Sequence, residues 1–101
     1  MYLIQILLPV LDNTGTPFPE DLLSEIRTEL IDRFGGITAF VHSPAEGVWA
    51  HNDERVRDKI VLIEVMADIL DRDWWGGYRR RLEMRLNQDA VLIHATHIEK
   101  L

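Results

Sequence analysis

The sequence predicts an α+β fold: one four-stranded antiparallel sheet with both of its helices packed on one face. Three observations lead there. Four short runs alternate apolar and mixed side chains with a period of two, which is the mark of strands. Two other stretches repeat apolar residues at helical spacing. The order along the chain is β-α-β-β-α-β. In each strand one face is purely apolar: Ile4, Ile6 and Leu8; Ile37, Ala39 and Val41; Val61, Ile63 and Val65; Val91, Ile93 and Ala95. The opposite face sets polar groups among large side chains. Gln5 lies between Leu3 and Leu7, Thr38 and His42 flank Phe40, Glu64 lies between Leu62 and Met66, and His94 and Thr96 lie between Leu92 and Ile98. The dry face suits the helices, and the mixed face is where a ligand or partner meets the protein.

The first strand covers residues 2–8. A loop rich in turn formers, Asp12-Asn13-Thr14-Gly15-Thr16-Pro17, follows it. Pro19 suits the first turn of a helix, and Glu20 and Asp21 complement its dipole. Leu22, Leu23, Ile26, Leu30 and Phe34 form that helix's apolar stripe, and Gly35-Gly36 ends it as a left-handed cap does. The second strand runs over 37–43 and is interrupted by Ser43-Pro44-Ala45-Glu46-Gly47. Residues 48–57 read as a hairpin extension around His51-Asn52-Asp53-Glu54, leading into the third strand at 59–67. Asp71 is placed to cap a second helix whose stripe is Trp75, Tyr78, Leu82 and Leu86. Asn87-Gln88-Asp89 closes it, and the last strand occupies 90–98.

Two right-handed crossovers in this order generate the ferredoxin-like sandwich, with strand order 4-1-3-2 in a single domain spanning residues 1–101. Its open face would expose Leu3, Leu7, Phe40, Leu62, Met66, Leu92 and Ile98, too much apolar surface for a lone subunit. A homodimer through that face is therefore expected, with Trp49 of the hairpin reaching over the sheet or onto the partner.

The order of elements resembles the dimeric α+β barrel group, in which two ferredoxin-like subunits pack sheet against sheet. Arg33-Phe34-Gly35-Gly36-Ile37-Thr38-Ala39, Glu46-Gly47-Val48-Trp49 and Ile63-Glu64-Val65-Met66 also look like small bacterial proteins of uncharacterised function. The first resemblance implies a fold and a paired assembly. Neither carries site residues that transfer.

Composition narrows the function classes. With 101 residues and 47% apolar side chains the chain is one ordinary folded domain. It has no cysteine, so disulfides, thiolate zinc sites and cysteine nucleophiles are out, and a reducing compartment fits. A net charge of -6 is the wrong sign for nucleic acid or anionic lipid. The apolar start, Met1 to Leu11, lacks a basic leader and is too short to span a membrane, so the cytoplasm is the default address.

Glu64 is the first candidate for chemistry. A carboxylate mid-strand among Leu62, Ile63, Val65 and Met66 is partly desolvated, a setting that suits a general base. The plainer reading is a structural anchor bonded to the next strand. In the expected strand order His94, Gln5 and Glu64 fall on three adjacent strands and one face. A lateral polar row is possible at strand spacings of about 4.8 Å. Such a row can hold a ligand or relay a proton, or simply satisfy itself within an interface. Thr38, Phe40, His42, Trp49 and Met66 complete the candidate ligand-binding set. His42, Glu64 and His94 match a two-histidine, one-carboxylate metal set by type. Their histidines belong to opposite edge strands, about 14 Å apart, so no metal site is expected within one subunit. His94 and His97, three apart on a strand, point to opposite faces.

Other conspicuous residues have cheap explanations. Trp75 fits the helix stripe, which leaves Trp74 more exposed, either as a lid or as a wedge over the helix start. Arg79-Arg80-Arg81 with Arg85 reads as a solvated face with local ion pairs. An RNA-recognition domain shares this topology, but its central strands need stacking aromatics, and here they carry Gln5 and Glu64. Gly35-Gly36 and Gly76-Gly77 do not precede a helix as phosphate loops do. Gly76-Gly77, inside a helix, calls for a close contact to justify it.

Three functions from different classes remain. The first is a dimeric binding or interaction module that holds a small organic ligand, or none, between the mixed face and the hairpin. The second is a cofactor-free enzyme, with Glu64 as base, His94 or His42 as proton carrier, and Trp49, Phe40 and Met66 as pocket wall. The third is a purely structural subunit whose partner is another protein. No motif of known chemistry decides between them.

Overall fold

The computed structural model describes residues 1–40, 46–51 and 54–101, with side chains described for 1–38 and 60–101. Its elements are β1 (Tyr2–Pro9), α1 (Glu20–Phe34), β2 (Thr38–Phe40), β3 (Glu46–His51), β4 (Glu54–Ala67), α2 (Arg72–Arg85) and β5 (Leu92–His97). The fold is α+β. Three full antiparallel strands carry the sheet in the order β4-β1-β5, with Ile6 opposite both Ile63 and Ile93. In β1 and β4 the dry face is where alternation put it, whereas Ala95 of β5, expected there too, is exposed. Ile4, Ile6, Leu8, Val61, Ile63 and Val65 are buried, and they pack with Ile26 and Leu30 of α1 and Trp75, Tyr78, Leu82 and Leu86 at α2. No helix among the described residues is long and apolar enough to cross a membrane.

The four-stranded ferredoxin-like sheet is corrected. Of the second expected strand, 37–43, the described part is Thr38–Phe40, lying along the outer edge of β4 opposite Glu64 to Leu62. Residues 41–45, which include His42, lie outside the described residues. The hairpin extension and the third strand are continuous instead of consecutive. β4 runs for 14 residues, and its first part pairs with β3 from Glu46↔Lys59 to His51↔Glu54. A strand that long serves two pairings in sequence, the ribbon first and the sheet core second.

Local chemistry explains the helix ends. Gly35 adopts φ 79° at the end of α1, and its N–H donates to the Ile31 carbonyl, a left-handed cap that favours glycine. Asp71 accepts from the Trp74 N–H at 3.0 Å and starts α2. Arg85 ties the helices together through Glu29 at 2.6 Å and Glu25 at 3.5 Å, so this member of the basic cluster finds its acids on α1 and not on its own helix. Gly76 and Gly77 have no close approach to justify them. An added Cβ would meet only the Arg80 guanidinium, at 3.8 and 4.0 Å.

Candidate functional site

The site begins with the pairing of β1. The Ile98 N–H donates to the Met1 carbonyl at 2.9 Å, so odd-numbered β1 residues turn their backbone groups towards β5 and even-numbered ones towards β4. Gln5 and Glu64, directly opposite one another, are therefore a non-hydrogen-bonded pair, the kind in which side chains come closest. The Gln5 Nε2 donates to the Glu64 Oε2 at 2.8 Å. On the far side of Glu64 lies Thr38, and on the far side of Gln5 lies His94. The sheet thus carries a register-matched row, His94-Gln5-Glu64-Thr38, across four strands.

Beside this row is an open concavity of about 620 Å³. Its floor is Leu3, Glu64 and Met66, one wall is Phe34 to Thr38 where α1 turns into β2, and Ile98 closes the far side. Among the described residues Glu64 is its one charged lining residue. The carboxylate is half-buried with one oxygen held by Gln5. Gln5 can donate only to an acceptor oxygen, so the pair orients Glu64 to receive a hydrogen bond or a cation from the concavity.

The candidates named from sequence separate into three groups. Glu64, Thr38 and Met66 line the concavity, and Gln5 braces Glu64. His94 does not line it. This histidine is exposed and borders a smaller hollow of about 210 Å³, with Ile4, Leu70, Arg72, Trp75, Ile93 and Ala95. The side chains of Phe40 and Trp49, and all of His42, fall outside the described residues. Among the described residues no group of three or more histidine or acidic side chains is placed to hold a metal ion.

Sequence reasoning missed Phe34, Gly35, Gly36 and Ile37 as lining residues, and it placed Leu3 and Ile98 on the open face without naming them as part of the site. Phe34 read as core stripe and the glycines as a cap, and both descriptions hold. Phe34 stacks on Trp75 at 5.2 Å and meets Trp74 edge-on at 5.4 Å. Trp74 in turn stacks on Tyr78 at 4.9 Å and carries the Arg33 guanidinium 4.1 Å above its ring. The available signal was an aromatic residue at a helix C-terminus followed by two glycines that leave its flank uncovered.

No family model matches the chain, and no curated protein matches it by sequence. Solved structures do match. A phage SAM lyase in complex with S-methyl-5'-thioadenosine superposes with a TM-score of 0.61 at 13% identity, covering 95% of this chain and 80% of that one. A phage SAM lyase in the apo state gives 0.55 at 15% identity, covering 94% and 78%. At such identities the likeness is one of fold.

Proposed function

We propose that the protein binds a compact, partly apolar small molecule of the adenosine-thioether or sulfonium class in the concavity over Glu64. The observation that carries this is the setting of Glu64: a lone charge, braced by Gln5, on the floor of a mostly apolar hollow. The fold's similarity to a SAM lyase solved with S-methyl-5'-thioadenosine supports the ligand class. A carboxylate accepts from paired ribose hydroxyls, and it attracts a sulfonium. Leu3, Met66 and Ile98 suit the apolar part of such a ligand, and Thr38 offers a hydroxyl at the rim.

An enzymatic reading follows from the same group. Glu64 takes a proton from a carbon of a sulfonium substrate, the C–H electron pair forms a carbon–carbon double bond, and the carbon–sulfur bond breaks with its pair leaving on sulfur, giving a neutral thioether and an alkene. In that reading Glu64 is the base and Gln5 positions it. The dimer expected through the open face belongs to this proposal too, since Met66 and Leu92, each 57% exposed, leave apolar surface beside the site for a second copy to cover.

Calorimetric titration with S-methyl-5'-thioadenosine and with SAM tests the binding. Saturable heat is expected for at least one, with Glu64→Gln weakening the cationic ligand by about tenfold or more, as expected for a lost charge-assisted contact. No heat with either ligand would overturn the ligand class. Chromatography of SAM incubated with the protein tests turnover. Thioether appearing with the wild type and not with Glu64→Gln supports the enzyme reading. Sedimentation at millimolar concentration tests the dimer, and a lone 11.7 kDa species there would remove it.

A further inference from the structure

β5 forms one edge of the sheet and pairs only with β1 among the described residues. Because the Ile98 N–H points to Met1 on β1, the backbone groups of residues 92, 94 and 96 also face β1. Those of Val91, Ile93, Ala95 and His97 point the other way, out of the sheet. The first of them has a partner: the Val91 N–H donates to a Glu83 carboxylate oxygen at 2.9 Å. The next three have none among the described residues. The edge also lacks the usual guards. Leu92–His97 contains no lysine, acid, proline or glycine, and every residue but Ile93 is exposed.

We propose that β5 is a self-pairing edge, joining a second copy of this chain antiparallel about a twofold axis at Ala95. That register sets Ala95 opposite its symmetry mate and Ile93 opposite His97, so all three outward residues of each copy exchange bonds, about six in total. The side chains agree with it. On the open face Leu92 meets the partner's Ile98, and His94 meets the partner's Thr96. On the helix side Ile93 covers the partner's His97. Extended to its ends, that register sets Lys100 opposite the partner's Ala90, next to Asp89 in the chain, while a register centred one residue earlier would set Glu99 directly opposite Asp89. In a chain of net charge -6 the second copy is repelled by most of the surface, and β5 is a six-residue stretch free of acids. The contact is distinct from the open-face association proposed above and does not depend on any ligand.

Amide hydrogen exchange of the full chain at micromolar and millimolar concentration reads this contact directly. The Ile93, Ala95 and His97 amides are expected to slow at least tenfold at the higher concentration. Open-face pairing alone leaves them unprotected. In parallel, light scattering compares the wild type with Ala95→Lys and Ala95→Ser. The lysine, set against its own mate, is expected to halve the particle mass while the serine leaves it unchanged. Circular dichroism confirms that both variants fold. If Ala95→Lys fails to fold, the exchange measurement on the wild type stands alone. Equal exchange at the two concentrations, or a folded Ala95→Lys variant with the wild-type mass, would overturn the proposal.

Discussion

The Gln5 amide and the Glu64 carboxylate meet because two strands present them as a closest-approach pair, not because either residue is unusual. Replacing Gln5 by leucine leaves that carboxylate oxygen without its donor, so ligand affinity is expected to fall while the fold persists. Titration of Gln5→Leu beside Glu64→Gln checks this, and unchanged affinity in the leucine variant would remove the bracing role. Alternation made both residues legible in the sequence, since a period of two admits few ways to bury Ile4, Ile6, Ile63 and Val65 together. It could not show that Glu64 borders a hollow, because the hollow depends on where the turn after Phe34 stops. Tyr78 offers a different residue-level test. Its hydroxyl is buried without a well-formed hydrogen bond among the described residues, and burial first, then the Glu29 charge, push its pKa up to about 12 from 10.0 against the smaller opposing pull of Arg85 and Arg81. A raised folded pKa means stability held below the unfolded pKa and lost as pH rises towards the folded one. Between pH 10 and about 12 the wild type should lose about 2 to 3 kcal/mol relative to Tyr78→Phe, read from denaturant melts. At neutral pH the phenylalanine variant should be within about 1 kcal/mol of wild type, because the hydroxyl it deletes makes no well-formed hydrogen bond among the described residues and only a weak contact with Arg85.

At the level of elements, α1 and α2 were legible nearly to the residue. Their ends are set by local chemistry: the left-handed glycine at position 35 and the side-chain cap at Asp71. Asp71→Ala should cost about 1 kcal/mol, measured by thermal melting. Gly76→Ala should add up to about 1 kcal/mol, since the space beside it is open and no left-handed backbone demands glycine there. Loss of stability on that change would reveal a contact made only in an assembly. The loop after β1 is also self-organised. Asp12 is held below the usual carboxylate range, first by the Thr14 hydroxyl and then by the Thr16 and Thr14 amides. A lowered folded pKa gives a contribution present above the unfolded value of 3.8 and lost as pH falls below it. The Thr14 and Thr16 amides should therefore lose protection relative to their intrinsic exchange rates as the pH falls, while those of β1 keep theirs. The second expected strand is tested only in part: Thr38–Phe40 pairs with β4, and residues 41–43 lie outside the described residues.

Across the whole molecule, the helical layer, the sheet and the open face follow from burying one side of each strand and leaving the other mixed. What sequence could not supply was the division of β4 between a ribbon and the sheet, which is decided by which neighbours happen to lie along each part. Phe34 connects the concavity to the rest of the fold in one further respect. Its ring borders the hollow on one side and lies nearly parallel to Trp75 on the other, 12° from coplanar, with Trp74 close by. Anything that displaces this phenylalanine changes the surroundings of two indoles at once, so occupancy should announce itself as a shift or quenching of intrinsic fluorescence. The protein carries its own optical reporter, and a library of candidate ligands can be screened against it without a label.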